Sequence, residues 1–211
     1  MAPAIITDRF GFALAGSVFC AALLILTVGW GFNVAALVRP GPGANALVPG
    51  SALVLALLSF ASLPILSERV ALVQIGAVIL ALIFVVAVGL PALLAHMPAN
   101  GWLVFPPRLG DGFSLASQAG ALLAAITPLV RLRVFQRLSG LGVTAAFLGL
   151  VYFLCATVLI ALLPWEINAI PTLQYLSLHT STLFTVLFAA QLVIQLNSDA
   201  VLADDDDILS V

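Results

Sequence analysis

The chain has no lysine, two cysteines and two histidines, and charged residues make up only 8% of it, against about 25% in a soluble domain. Each shortage excludes something. With no lysine, and no basic patch outside one short loop (Arg131, Arg133, Arg137), nucleic acid is not an expected partner. Cys20 and Cys155 both fall inside apolar runs, where a thiol packs as a small hydrophobe, so a disulfide framework is excluded. No Asp, Glu or Arg lies in the middle of an apolar run, which argues against a charged proton or ion relay. Gly-rich phosphate loops, nucleophile elbows and paired carboxylates are missing too. Hence no catalytic residue, metal ligand set or cofactor is expected, and the chain does not read as an enzyme. A haem between His96 and His179 is disfavoured because neither histidine has a companion ligand at i+3 or i+4.

What is present is apolar surface. Apolar residues are 63% of 211, more than a chain can hide from water by folding on itself. Six runs stand out: 10–30, 47–66, 70–95, 113–130, 141–163 and 176–196. At 1.5 Å per helical residue each is long enough for a hydrocarbon core of about 30 Å, the fourth only just. The expectation is an all-α, polytopic membrane protein of about six transmembrane helices, with the bilayer as its first partner. The first run outlasts a signal-peptide core of about 7–15 residues and is read as a retained span. Pro64, Pro91 and Pro128 fall near span ends, where neighbouring helices absorb a kink.

Long connectors rich in Pro, Gly and Trp (31–46, 97–112, 164–175) alternate with short ones (67–69 and 131–140). Arg9, Arg69, Arg131, Arg133 and Arg137 share the side of the N-terminus and the short loops; only Arg39 and Arg108 lie opposite. The positive-inside rule then predicts both termini in the cytoplasm of a bacterial inner membrane. The chain divides into an N-terminal segment 1–9, a membrane domain 10–196 and an acidic tail 197–211, whose Asp204 to Asp207 are expected to be solvated and disordered.

Spans two, four and six open alike: Leu47-Val-Pro-Gly-Ser51, Phe113-Ser-Leu-Ala-Ser117 and Leu176-Ser-Leu-His-Thr180. Trp102 and Trp165 each stand eleven residues before their motif, and Trp30 stands seventeen before its own. A period of about 65 residues predicts three sequential two-helix hairpins, at 10–66, 70–130 and 141–196.

The hydroxyls of Ser51, Ser117 and Thr180 fall in the first turn of their helices, where they are expected to accept from unpaired backbone N–H groups. Trp30, Trp102 and Trp165 are expected to anchor at the headgroup level, indole N–H in water. The sixth span is the polar one. Its hydroxyls and glutamines suit interhelical hydrogen bonds, and His179, with Thr182 and Tyr152 from span five, forms a candidate pocket for a small or lipid-like ligand.

The Trp30-Gly-Phe stretch, the Pro/Gly-rich connector and Leu47-Val-Pro-Gly-Ser51-Ala52 leading into a Leu-rich run resemble the N-terminal membrane sensor regions of bacterial histidine kinases and diguanylate cyclases. There a helix opens with Met-x-Pro-x-Thr-Ala and a later one with a Ser-Leu-His-Thr-like stretch, matched here by Ser177 to Thr180. The resemblance covers Phe10 to about Leu196 and implies a non-enzymatic sensor-like domain. Those proteins continue into a PAS, kinase or cyclase module, whereas this sequence ends at Val211. A separate cytoplasmic signalling partner is then needed, unless the chain is a fragment. The alternatives are an accessory subunit of a respiratory or photosynthetic membrane complex and, third, a small transporter, which needs a polar central path that the spans do not offer.

Overall fold

A computed structural model describes residues 2–41, 44–64, 67–95, 113–131, 139–163, 166 and 169–208. Among these there is no strand. The helices are α1 (Ala2–Leu24, running on into a π-helical turn Ile25–Trp30), α2 (Ala35–Val38), α3 (Pro49–Ala61), α4 (Glu68–Ala95), α5 (Leu115–Val130), α6 (Ser139–Leu162) and α7 (Leu178–Ile208). Four contain stretches long and apolar enough to cross a membrane: Arg9–Trp30, Arg69–Val88, Gly140–Leu162 and Leu178–Asn197. By length and composition the fold is that of a helical membrane protein.

The other two expected spans are shorter than the runs that announced them. α3 has 13 residues and α5 has 16, so along their axes they cover about 20 and 24 Å. Pro49 at the first position of α3 sets its start, where a missing N–H costs nothing. Its end is set by Ser62, whose N–H reaches back to the carbonyls of Leu58 and Ser59, and by Pro64, which pushes the residue before it away from helical geometry. The tail also differs from expectation: α7 continues without a break through the four aspartates to Ile208. The widened turn at the end of α1 surrounds Thr27, whose hydroxyl donates to the carbonyl of Leu23 at 2.8 Å, a contact that bends helices.

The helices sort into an inner and an outer set. α3, α5 and α7 touch one another at the centre. Each outer helix lies against two of them: α1 on α3 and α7, α4 on α5 and α3, α6 on α7 and α5. The division follows side-chain size. α3 and α5 bury Gly50, Ser51, Ala52 and Ala56, and Ala116, Ser117, Gly120 and Ala124, small residues that let backbones approach where lipid offers no hydrophobic drive. α4 and α6 instead expose Leu72, Ile79, Ile83 and Phe147, Leu154, Leu162. The inner helices run parallel. Their starts are tied by Asn45 donating to the Leu176 carbonyl (3.4 Å) and Ala116 N–H to that of Thr172 (3.2 Å), while Arg131, just past α5, donates to Ser62 at the end of α3 (3.1 Å).

Candidate functional site

α7 is the element that meets most of the bundle, and its polar side chains form three layers. The first is its start. Ser177 stands at the N-cap position; its hydroxyl accepts from Thr180 N–H at 3.0 Å and lies 2.7 Å from the Thr180 hydroxyl. Ser114 does the same for α5, accepting from Ser117 N–H at 3.0 Å and lying 2.7 Å from the Ser117 hydroxyl. The capping oxygen therefore belongs to the serine three residues before the one the sequence pointed to. Ser117 and Thr180 sit at the third helical position, and so does Ser51 in α3, whose start has Val48 and Pro49 in place of a capping side chain. The residues just outside the three caps, Leu47, Phe113 and Leu176, are all buried.

The indole Nε1–H of Trp30 donates to the carbonyl of Leu47 at 2.9 Å, a protein partner where water was expected, so it ties the end of α1 to the approach of α3. Trp102 and Trp165 lie outside the described residues, as does His96. Tyr175, immediately before the α7 start motif, holds a left-handed φ of 67°, which a bulky residue rarely adopts and which the sequence did not signal.

The second layer stitches α6 to α7. Thr157 and Ser181 lie 2.8 Å apart and both reach the carbonyl of Phe153, at 2.8 and 3.1 Å; Thr185 adds a contact to Thr157 at 3.3 Å. Beside it Phe153, Phe184 and Phe188 stack fully buried, with centroids 4.6 and 5.7 Å apart from Phe153. Gly149 gives Phe188 its place, since a Cβ there would overlap the ring, and Gly120 does so for Phe153, at 2.5 Å.

The antiparallel register set by Phe153 with Phe184 and Gly149 with Phe188 puts Tyr152 level with Thr185, about 9 Å along the axis from the level of His179. Tyr152 and Thr182 are exposed on the outer surface. His179 is half-buried, and its Nδ1 is enclosed with no hydrogen-bond partner. Tyr152 thus lies within about one turn of the level of Thr182 and about 9 Å from that of His179. Among the described residues no three His, Cys, Asp or Glu side chains cluster as metal ligands would.

The third layer joins the three inner helices. Pro128 in α5 has no N–H for the carbonyl of Ala124, four residues back. Gln191 supplies the donor instead: its Nε2–H₂ reaches Ala124 O at 2.8 Å and the Ser62 hydroxyl of α3 at 3.1 Å. One turn on, Gln195 donates to the Thr127 carbonyl at 3.2 Å. The open end of α3 is closed by Gln74 of α4, which donates to Leu63 O at 3.1 Å, and by Arg131, whose guanidinium also lies 5.6 Å from the Phe12 ring centre. Sequence reading had Gln191 and Gln195 only among the polar residues of span six, and missed Ser62 and the carbonyls of Ala124 and Thr127 as their partners, as it missed Gln74 at the end of α3. The available signal was a proline inside an apolar run together with glutamines in another.

Among the described residues, these layers position helices against one another. No protein-family model matches the chain, and comparison with curated proteins and with solved structures finds no match.

Proposed function

We propose that the chain is a six-span membrane module of three sequential hairpins, both termini in the cytoplasm of a bacterial inner membrane, working as a non-enzymatic sensor-like domain through a cytoplasmic partner. Two features support the repeat: the shared register of Ser51, Ser117 and Thr180, and the way each outer helix lies on its own inner partner and on one further inner helix, that of the preceding hairpin for α4 and α6 and that of the third hairpin for α1. The shortness of α3 is compatible with a span because its end is met inside the bundle by Gln74 and Arg131, and non-helical backbone is tolerated at membrane depth where protein satisfies it.

The observation that carries the sensor reading is α7. It touches α1, α3, α5 and α6, and continues as one helix past Asn197, where its apolar stretch ends, to Ile208. A change of packing at the outer end must shift or rotate α7, and a continuous helix delivers that motion beyond the membrane.

The test is purification in mild detergent with a photo-crosslinker at Val201, followed by mass spectrometry of what is captured. A kinase, cyclase or other output protein joined to position 201 is the expected result. The accessory-subunit reading rests on Tyr152 and Thr182, polar groups on an outward face that lipid does not require. It predicts instead a stoichiometric set of membrane-complex subunits crosslinked from position 152, with position 201 unoccupied. A transporter has less support, since Gln191 and Gln195 are engaged by backbone carbonyls.

A further inference from the structure

Thr27, Thr144, Thr157 and Thr185 each turn the hydroxyl back to the carbonyl four residues before, at 2.8–2.9 Å. Thr127 of α5 does not: its Oγ1 is fully enclosed, in a residue 1% exposed, and has no hydrogen-bond partner among the described residues. Across the seam Gln191 of α7 is 0% exposed. Its Nε2–H₂ is engaged by Ala124 O and the Ser62 hydroxyl, while its Oε1 is likewise enclosed and without a partner among the described residues. The two atoms belong to one layer. Gln191 reaches the carbonyl three residues before Thr127, and Gln195 reaches the carbonyl of Thr127 itself. A helical side chain leans toward the N-terminus, which brings the Thr127 hydroxyl back toward the level of Ala124 O.

We propose that Thr127 and Gln191 form the binding site of one ordered water between α5 and α7. Water is the ligand whose chemistry fits. It donates to the Gln191 oxygen, which can only accept, and it meets the Thr127 hydroxyl, which can do either. Buried waters are held by about two to four such partners. A sodium ion would need several oxygens in place of its hydration shell, and the carbonyls around this layer, of Ala124, Thr127, Ser62 and Leu63, already accept from Gln191, Gln195, Arg131 and Gln74. The Arg131 guanidinium, 3.1 Å from the Ser62 carbonyl, is moreover a positive charge that opposes a second one nearby. The turn around Pro128 is not close-packed: on its α4 side a space of about 10 Å³, the size that admits one water, lies against Gln74 and Arg131. The site stands apart from the sensor reading but gives it a location. Thr157 and Ser181 join α6 to α7 directly at 2.8 Å, whereas bonds to a water between α5 and α7 can be remade as the helices shift.

The test uses the full chain in lipid bilayers, with threonine and glutamine isotopically labelled, and solid-state NMR that reads polarisation passing from water to named side chains. In the wild type, Thr127 Cβ and Gln191 Cδ should receive it several-fold faster than Thr157 Cβ, whose hydroxyl is bonded within the protein. Thr127→Val, of nearly the same shape, should drop the Gln191 transfer to the Thr157 level and lower the melting temperature, and Thr127→Ser should keep both near wild type. Slow transfer to Gln191 in the wild type overturns the proposal. So does a Thr127→Val variant as stable as wild type or more so, which is the result for a hydroxyl that holds nothing. A melting temperature raised by sodium over N-methylglucamine at equal ionic strength, with the rise lost in Thr127→Val, makes a cation the occupant and overturns it as well. If Thr127→Val fails to fold, the wild-type transfer and Thr127→Ser still decide. None of these readouts involves a partner at Val201, so the site and the sensor reading fail separately.

Discussion

Gln191 donates at 2.8 Å to the carbonyl of Ala124, the one from which Pro128 withholds the helical donor. The two residues complement each other across α5 and α7: a proline is tolerated in one helix because a glutamine in another covers the bond it breaks. Gln191→Leu should cost about 1–3 kcal/mol, the penalty of a buried carbonyl left unpaired. In a Pro128→Ala background, where residue 128 regains its N–H, the same change should cost measurably less. Unfolding in detergent on the four variants of this cycle provides the check, and equal costs in both backgrounds would falsify the pairing.

The three stacked phenylalanines should be intolerant of small additions. Gly149→Ala sets a methyl against the Phe188 ring and should destabilise by about 1–3 kcal/mol through overpacking. Gly76→Ala, at a helical position with nothing near its added methyl, should be neutral or stabilising by up to about 1 kcal/mol. Melting temperatures of the two variants should move in opposite directions or differ clearly in size.

Equivalent caps should respond equivalently. Ser114→Ala and Ser177→Ala remove the oxygens that accept from Ser117 and Thr180 N–H, and each should cost about 0.5–2 kcal/mol. Ser51→Ala, at the same helical position as Ser117 and Thr180 but without a capping serine before it, should not reproduce the cost of those cap losses. A difference of several-fold between the two cap variants would count against a common hairpin start.

His179 offers a sharper choice. Its Nδ1 is enclosed and unpartnered, and replacing such a group by an apolar side chain is near neutral or stabilising. His179→Leu should therefore be at least as stable as wild type, with His179→Gln close to it. A marked loss of stability in His179→Leu would mean that the ring holds a bound molecule or an unseen partner, and binding measured on both variants would then locate it.

Topology is accessible to cysteine labelling. Cys20 and Cys155 are exposed on the bundle's surface, so replacing them should leave the fold intact. In that background, Asn100→Cys should react from outside and Ser139→Cys should be protected. The reverse pattern would invert the bundle.

The sequence made the helices easy to find because long apolar runs have one solution in lipid, a self-satisfied backbone. It did not reveal which helices lie inside. α3 and α4 are similarly apolar, and what separates them is the size of the side chains on one face, which matters only once a neighbour is there to approach. The start motif located Ser117 and Thr180 correctly in the first turn, yet the capping role passed to Ser114 and Ser177, because the N-cap residue is the last one before helical geometry and its position was misjudged by three residues. The aspartates 204–207 read as a solvated, disordered end because a run of like charges repels itself; α7 nonetheless runs through them. The level of Tyr152 relative to His179 depends on the register of α6 against α7, which is invisible in either segment alone.

α1 lies against α7, with Gly11 set close to Ile194, so α1 waits for a helix made about 170 residues later. At about 5–20 residues per second, roughly 10–40 s of translation separate the two. During that interval α1 has α3 and, later, Arg131 beside Phe12 as neighbours among the described residues, and the face that will receive α7 is open to any other hydrophobic segment in the insertion machinery. The α1–α7 contact therefore closes late, and a nascent chain halted before α7 leaves an unclosed intermediate whose α1 is the natural substrate for a membrane chaperone or protease.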